Sequence, residues 1–274
     1  MKSYLALIAI DLRLALRQRT VIFFNYLFPL IFFFTFGVFL GANGNPAKAT
    51  LVLNMSTTLG ILGNGLFGAG IRALQEREMN ILRRYKVTPI TPGPILVSSM
   101  VTGWIIFMPY ILLLLMVSHY WYHMPWPGHP LALVVFISIG LIAFRAIGLV
   151  IASVANTMQE GTILVQLLYF PMLFLSGATF PVEQGPRILR IISGFVPATY
   201  LVNGMNAIML KSASFIDVWK AAGALIITLI VGFVVGTNLF RWEKEEKIRG
   251  TATLWVLAVL LPFFVMGVVK WMQR

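Results

Sequence analysis

The chain has 274 residues, of which 59% are hydrophobic and only 11% carry a charge. Soluble domains contain about 25% charged residues, so this composition excludes an ordinary soluble enzyme or binding domain and indicates an integral membrane protein. The formal net charge is +12, but the basic residues are spread over short connections, which favours contact with anionic lipid headgroups over nucleic acid. There are no cysteines, which excludes disulfides, thiolate metal sites and cysteine nucleophiles.

Residues 1–20 have the pattern of an amphipathic helix. Apolar side chains recur at helical spacing on one face, and basic side chains lie on another. The apolar face contains Leu5, Ile8, Leu12 and Leu16, and the basic side chains are Arg13, Arg17 and Arg19. A helix with this pattern lies in the headgroup plane of a membrane, so we predict an interfacial helix. The alternative is that it extends the first span inwards.

Six apolar segments are long enough to cross a hydrocarbon core of about 30 Å. They cover residues 21–40, 51–71, 95–117, 131–154, 162–180 and 218–240. Together with the interfacial helix, they predict an all-α polytopic membrane domain over residues 1–250. Residues 251–274 are apolar enough to add a seventh transmembrane helix, and the alternative is a helix along the inner surface.

The distribution of basic residues predicts the orientation. With the N-terminus in the cytoplasm, most Lys and Arg residues fall in cytoplasmic connections, as the positive-inside rule requires. The connection after the third span has no Lys or Arg and is rich in Tyr and Trp, which is typical of the outer interface. It also contains His119, His123 and His129, which could bind a metal. Because no acidic residue is near them and prolines interrupt the segment, we predict an interfacial loop without a metal.

Polar side chains inside the spans are candidates for a translocation pathway. The candidates are Asn54, Asn64, Arg145, Gln166 and Tyr169. The second span is also rich in Gly, Ser and Thr, so either close helix packing or a pathway surface would explain its polar groups. For Arg145 three interpretations are open: snorkelling at a lipid-facing position, a structural hydrogen bond to a neighbouring helix, and a role in the pathway.

A charged segment, residues 72–94, separates the second and third spans. It contains the charged sequence EREMNILRRYK, followed by the turn-forming sequence TPITPGP. The charged part has no Gly or Pro, which favours a short helix that ends before Pro89. A charged helix between membrane spans is suited to binding a soluble partner.

A second informative segment follows the fifth span. Residues 181–198 are amphipathic, too short to cross a membrane, and bounded by Pro181 and Pro197. This pattern predicts a re-entrant or interfacial hairpin on the outer side.

Both of these segments resemble the type-2 ATP-binding-cassette (ABC) exporter permease family. The charged segment resembles the family pattern E-R-E-x-G-T-L-x-x-L-x-x-T-P, and the matching residues are Glu76, Arg77, Glu78, Leu82, Thr88 and Pro89. Asn80 and Ile81 stand in place of Gly-Thr, and Tyr85 stands in place of Leu. The second segment resembles S-G-x-x-F-P-x-x-x-x-P followed by N-P-x-T-Y, and the matching residues are Ser176, Gly177, Phe180, Pro181, Pro186, Pro197, Thr199 and Tyr200.

The resemblance implies that the chain is a permease subunit of an ATP-driven exporter. Such permeases are homo- or heterodimers with a pathway between the copies, here lined by the second and fifth spans, and separate ATPase subunits bind ATP and Mg²⁺. The chain itself lacks the phosphate-loop pattern G-x-x-x-x-G-K-[ST], so we expect no catalytic site and no cofactor of its own. The expected partners are ATPase subunits, a second permease copy and membrane lipids in the bacterial cytoplasmic membrane.

The resemblance also implies roles for particular residues. The ATPase-coupling residues would be Glu76, Arg77, Glu78, Leu82, Arg83, Arg84, Tyr85, Thr88 and Pro89, with Arg13, Arg17 and Arg19 of the interfacial helix beside them. The outer gate would contain Ser176, Gly177, Phe180, Pro181, Pro186 and Pro197. The alternatives are a membrane-embedded lipid-modifying enzyme and a non-transporting membrane scaffold.

Overall fold

The computed structural model describes residues 2–17, 22–86, 90–179, 182, 185–246 and 252–272. These residues form twelve α-helices and two π-helical segments, without a strand among them. The helices are α1 (Lys2–Arg17), α2 (Phe28–Phe39), α3 (Pro46–Leu62), α4 (Arg72–Glu78), α5 (Ile81–Lys86), α6 (Pro92–Tyr122), α7 (Pro130–Val154), α8 (Met158–Leu175), α9 (Arg187–Ser193), α10 (Pro197–Leu210), α11 (Trp219–Asn238) and α12 (Ala252–Met272). The π-helical segments are Phe23–Leu27, before α2, and Gly63–Ile71, between α3 and α4.

Five described helices are long and apolar enough to cross a membrane. They are the continuous helix Pro46–Glu78, which joins α3 to α4, and the helices α6, α7, α8 and α11. Helices α9 and α10 form a pair bent by 95°, which would be a sixth span if it crosses as a unit. The prediction of an all-α polytopic membrane protein is therefore confirmed.

Three helices extend over ranges that differ from the predicted spans. The second span continues from Pro46 through Glu78, because the charged residues after position 71 favour helix as well as the apolar ones do. Helix α6 is longer than predicted at both ends, since Pro92 occupies its first turn and no breaker precedes Tyr122. Helix α8 ends at Leu175, five residues early, because the chain turns at Gly177, where φ is +87°.

Helix α7 lies at the centre of the helix bundle and packs closely against the π-helical segment Gly63–Ile71. A methyl group added at Gly148 would lie 2.4 Å from the Gly65 carbonyl oxygen, and one added at Gly70 would lie 2.7 Å from the Gly148 carbonyl oxygen. Only glycine allows two helix backbones to approach this closely. These glycines of the second span therefore serve helix packing.

The connections between the helices gather at two ends of the bundle. At one end, which we call the coupling end, the break between α4 and α5 meets the α7–α8 connection (residues 155–157) and residues 241–246. At the other end, which we call the hairpin end, the α6–α7 connection (residues 123–129) meets the chain that follows α10: a methyl group at Gly128 would lie 2.8 Å from Ser212 Oγ.

Helix α12 packs beside α11 and against the start of α10. The rings of Phe195 and Phe264 lie 5.6 Å apart, as do those of Tyr200 and Phe263. A methyl group at Gly267 would lie 2.6 Å from Phe195, so α12 and the end of α9 are in close contact. The apolar part of α12, Leu257–Val269, and that of the first predicted span, Asn25–Phe39, are both shorter than the five spanning helices. A crossing by either segment therefore stays a prediction.

Candidate coupling site

Helix α1 is attached to the spans by one carboxylate. Asp11 accepts hydrogen bonds from Arg72 Nη2, at 2.9 Å, and from Ser98 Oγ, so it joins α1 to both α4 and α6. Arg72 also pairs with Glu76, one turn later in α4, at 2.9 Å. Asp11 was not among the predicted site residues. The available signal was that it is the only acidic residue of α1.

The face of α1 that packs against the spans differs from the predicted apolar face. Leu7 and Ala15, one turn on either side of Asp11, are buried, whereas Leu5 and Leu16 are 65% and 53% exposed. Because the row through Asp11 makes the protein contacts, the predicted apolar face remains available for lipid.

The basic side chains of α1 are directed away from the bundle. Arg13 and Arg17 are exposed, and Arg19 lies outside the described residues. Their place beside the coupling residues stays a prediction.

The charged segment forms two short helices instead of the single predicted helix. Helix α4 ends at Glu78 and α5 begins at Ile81, and Asn80 between them has a left-handed φ of +57°. Asn tolerates this conformation better than most residues, because its short polar side chain can bond locally. It stands where the family pattern has Gly, which adopts left-handed φ readily. The prediction of one helix was wrong because Asn, unlike Gly or Pro, is not read as a helix breaker.

Arg77 and Glu78, predicted to face a partner, bind inside the protomer. Arg77 is buried and donates hydrogen bonds to the carbonyl oxygens of Ala152, at 2.9 Å, and Ala155, at 2.5 Å. The last carbonyls of a helix have no intrahelical donor, so Arg77 satisfies the C-terminal end of α7. Glu78 accepts a hydrogen bond of 2.6 Å from the backbone N–H of Met158, which lies at the N-terminal end of α8.

The remaining predicted coupling residues divide between buried and exposed positions. Glu76 forms an ion pair with Arg72, Leu82 is buried and Tyr85 is half-buried. Thr88 and Pro89 lie outside the described residues. The inward-facing members of this set therefore hold α4 and α5 on the bundle.

The exposed residues of the charged segment form one surface at the coupling end. We define the coupling surface as Met79, Asn80, Arg83, Arg84 and Lys86, all of which are exposed. Met79 is 58% exposed, so the break between α4 and α5 presents an apolar side chain beside the basic ones. Arg84 makes no ion pair within the described part of the chain. The surface combines an apolar tip with a basic helix, which suits a protein partner.

Arg145 of α7 is buried against two neighbouring segments, Gly63–Ile71 and α6. Its Nη1 donates to the Asn64 side-chain oxygen at 2.5 Å and to the Asn64 carbonyl oxygen at 3.0 Å. Its Nη2 donates to the Ser99 carbonyl and hydroxyl oxygens, at 2.6 Å and 3.0 Å. A methyl group at Gly103 would lie 2.0 Å from the guanidinium carbon, so this glycine makes room for the charge. The position agrees with a structural hydrogen bond to neighbouring helices and excludes lipid-facing snorkelling.

The hydrogen bonds of Arg145 continue into a second π-helical segment. Asn64, in the segment Gly63–Ile71, donates from Nδ2 to Asn25 Oδ1 at 2.8 Å, and Asn25 lies in the segment Phe23–Leu27. A π-helical turn shifts the backbone register, and Arg145 bonds one of the carbonyls within such a turn. The buried polar groups thus stabilise the two irregular segments next to α7.

The other pathway candidates occupy two different environments. Asn54 is buried and donates to Asn206 of α10, so its amide serves contact between helices. Gln166 is exposed on α8, and Tyr169 is half-buried with its ring 5.3 Å from Phe67. The second span lies inside the protomer: 78% of its most apolar 18-residue stretch is buried, whereas the corresponding share in α8 is 22%. Of the two spans predicted to line a pathway, α8 offers the accessible surface.

The predicted outer gate begins with a tight turn after α8. Ser176 is buried, and its Oγ accepts from the backbone N–H of Ala178 at 3.2 Å, while Gly177 supplies the left-handed φ. Phe180 and Pro181 lie outside the described residues.

The second part of the predicted gate is the bent pair of α9 and α10. Pro186 precedes α9, and Pro197 is in the first turn of α10. The Tyr200 hydroxyl donates to the Gly194 carbonyl oxygen at 2.6 Å and fixes the bend. A re-entrant path and a gating role stay predictions.

The histidine-containing connection is held by aromatic packing. His119 Nδ1 lies 2.8 Å from the Met124 carbonyl oxygen, and its ring lies 4.9 Å from that of Trp126. His123 ends α6 with a left-handed φ of +53°. Within the described ranges, no group of three metal-binding side chains is close enough to hold an ion.

Fold and site together define the class of the chain: an all-helical integral membrane protein with a broken, charged helix at one end of its spans. The chain belongs to the ABC-2 type transporter family, whose profile matches residues 2–210.

The chain is also similar to individual transport proteins of bacteria. It is 25% identical over 180 residues to the linearmycin resistance permease protein LnrN of Bacillus subtilis. The aligned region covers 64% of this chain and 46% of that protein. It is 27% identical over 203 residues to the inner membrane transport permease YhhJ of Escherichia coli, with coverage of 74% and 53%. It is 34% identical over 100 residues to the nodulation protein J of Rhizobium leguminosarum, with coverage of 36% and 38%. The chain thus spans about half the length of the curated relatives it matches.

Proposed function

We propose that the chain is the membrane-spanning permease subunit of an ATP-driven ABC exporter. Membership of the ABC-2 type transporter family, together with an exposed basic surface at the break of a spanning helix, is the observation that carries the proposal. Two of the relatives described above are themselves named permeases. The chain forms the pathway and leaves the chemistry of ATP to other subunits.

The coupling surface is the proposed binding site for a separate ATPase subunit, which binds ATP and Mg²⁺. No phosphate-loop pattern occurs in this sequence, and we assign ATP hydrolysis to the partner subunit. Helix α4 continues directly into the second span, and its Arg77 and Glu78 contact the ends of α7 and α8. A displacement of the coupling surface is therefore passed to three spans at once.

The proposed working unit is a dimer. The exposed stripe of α8 contains Ile163, Leu167 and Phe170, with Gln166 among them. An amide facing hydrocarbon would lack a hydrogen-bond partner, which favours cover by a second permease copy over cover by lipid. The pathway then lies between the two copies, lined in part by α8.

The proposed location is the bacterial cytoplasmic membrane, with the coupling end and the N-terminus in the cytoplasm. This orientation follows the positive-inside rule, because Arg83, Arg84 and Lys86 then lie inside. A lipid-modifying enzyme and a non-transporting scaffold gain no support from the relatives, since LnrN and YhhJ are named permeases.

The test is purification of the chain from its native membrane, followed by identification of the proteins that accompany it. We expect a subunit with a phosphate loop, lost on the reversal Arg84→Glu and retained in Lys48→Glu. Lys48 is exposed at the hairpin end and is the matched control for a reversed surface charge.

Glu76→Lys is a comparison variant, in which the fold and the docking should be disturbed together. Glu76 pairs with Arg72 inside the protomer, so its reversal should lower thermal stability as well as ATPase retention. If the wild-type chain is purified without any ATPase, or if Arg84→Glu retains it fully, the proposed function is wrong.

A further inference from the structure

Residues 241–246, which belong to the connection between α11 and α12, lie directly beside helix α5. Lys86 Nζ is 3.1 Å from a Glu243 carboxylate oxygen and 3.3 Å from one of Glu246. Arg83 Nε is 3.9 Å from Glu243. Hydrogen bonds to Glu243 and Glu246 raise the pKa of Lys86. Two residues of the coupling surface are thus already in contact with residues 241–246.

Residues 241–246 form an ordered turn. The backbone N–H of Trp242 donates to the Glu246 carboxylate at 3.0 Å, and Arg241 Nη1 donates to the Glu246 carbonyl oxygen at 3.0 Å. The Trp242 ring packs against Phe240 with its centroid 4.9 Å away. These hydrogen bonds close the turn, and Lys244 and Glu245 lie at its tip.

Arg241 anchors this turn to the rest of the coupling end. It is buried and donates to the Ala155 carbonyl oxygen, the same atom that accepts from Arg77, and to Asn156 Oδ1 at 3.2 Å. Burial lowers the pKa of Arg241, and the charges of Glu160 and Glu246 act in the opposite direction. Because α4, the α7–α8 connection and residues 241–246 share this anchor, they are held as one unit.

The ion pairs of the turn position it more than they stabilise the fold. Lys86 is half-exposed in its pairs with Glu243 and Glu246, and such surface pairs contribute about 0–1 kcal/mol. Their main effect is on geometry, because they keep the tip of the turn, Lys244 and Glu245, next to the coupling surface. Both tip side chains are exposed.

We infer that residues 241–246 are a second docking element for the ATPase subunit, continuous with the coupling surface. This inference rests on the proposed function. The combined surface has basic residues on α5 and acidic residues on the turn, so the partner should present an acidic group towards Arg84 and a basic group towards Glu245. The family profile ends at residue 210, so this element lies outside the matched region.

Single-cysteine crosslinking tests the inference, because the natural chain has no cysteine. Lys244→Cys, Glu245→Cys, Arg84→Cys and Lys48→Cys would each carry a maleimide photocrosslinker in membranes that contain the permease with its ATPase subunit. We expect adducts with the ATPase from Lys244→Cys and Glu245→Cys at yields comparable to Arg84→Cys. Lys48→Cys, at the opposite end, sets the background.

The outcomes separate this inference from the proposed function. An adduct from Arg84→Cys with only background at positions 244 and 245 overturns the second docking element and leaves the proposed function intact. Background yields at all three positions contradict both.

A binding measurement gives an independent test. Glu245→Lys should weaken ATPase binding by about tenfold, the equivalent of about 1.4 kcal/mol for one lost contact, while Lys48→Glu should bind as the wild type does. Glu243→Gln together with Glu246→Gln should weaken binding as well, because the turn loses its position beside Lys86. Tighter binding of this double variant would show that the turn competes with the ATPase, and would overturn the inference.

Discussion

Three buried arginines bind backbone carbonyl oxygens within the protein. Arg77 and Arg241 bind the carbonyl of Ala155 at the end of α7, and Arg145 binds carbonyls of Asn64 and Ser99. Carbonyls at helix ends and in π-helical turns lack intrahelical donors, and a guanidinium has five N–H groups to supply them. Each arginine therefore joins segments that are distant in the chain.

Arg145→Leu is expected to destabilise the permease. The change leaves Asn64 and Ser99 without their donors, and interhelical hydrogen bonds in membranes are worth about 0.6–2 kcal/mol each. We expect a loss of about 2 kcal/mol, measured as a lower midpoint of thermal unfolding in detergent. Arg187→Leu, which removes an exposed arginine, is the control. A wild-type midpoint for Arg145→Leu would contradict the structural role of this arginine.

Gly103→Ala should destabilise the protein through the same guanidinium. The new methyl group would lie 2.0 Å from the Arg145 guanidinium carbon, and overpacking of this kind costs about 1–3 kcal/mol. Gly223→Ala is the matched control, because nothing lies within 4 Å of its added methyl group. In an Arg145→Leu background the penalty at Gly103 should largely vanish, and additive effects of the two changes would disprove the contact.

At the scale of elements, the broken helix α4–α5 decides which charged residues reach a partner. Arg77 and Glu78 lie before the break and bind inwards, whereas Arg83 and Arg84 lie after it and are exposed. A straight helix would continue the direction of the second span. The left-handed Asn80 instead turns α5 towards residues 241–246.

Asn80→Val is expected to impair coupling. A β-branched residue is strained at left-handed φ by about 1–2 kcal/mol, so α4 and α5 should shift towards one straight helix. We expect weaker ATPase retention and a lower rate of ATP hydrolysis in reconstituted vesicles. Asn80→Gly, which accepts the same φ, should behave as the wild type does. Equal loss in both variants would mean that the side chain itself, and not the break, matters.

At the scale of the whole molecule, a topology with seven crossings stays a prediction. Helix α12 follows the charged residues at the coupling end and contacts Phe195, between α9 and α10, through Phe264 and Gly267. Its apolar part, Leu257–Val269, is shorter than the five spanning helices, so labelling must show on which side the C-terminus lies.

Cysteine labelling in intact cells tests this topology. A membrane-impermeant maleimide should label Lys48→Cys and Gln273→Cys directly and Arg84→Cys only after permeabilisation, because basic connections stay in the cytoplasm. The cysteine-free parent chain is the negative control. Labelling of Gln273→Cys only after permeabilisation would place the C-terminus inside and remove the seventh crossing.

The sequence by itself determined the class of the protein. Apolar segments of spanning length, the charged segment after the second span and the Pro- and Gly-bounded stretch after the fifth are local patterns, and they also carry the family resemblance. Helix α7 begins and ends within a residue of the predicted span 131–154, because proline and a polar connection bound it.

Only the tertiary structure decided what the polar residues bind. Asp11, Arg77, Arg145 and Arg241 contact residues that are far apart in the chain, and one sequence does not indicate which helices become neighbours. The same is true of the break at Asn80, since Asn is compatible with a helix until tertiary contacts favour left-handed φ. Amphipathic spacing predicted that α1 has an apolar face, but the row of residues through Asp11 meets the spans, because this half-buried carboxylate binds Arg72 and Ser98 there.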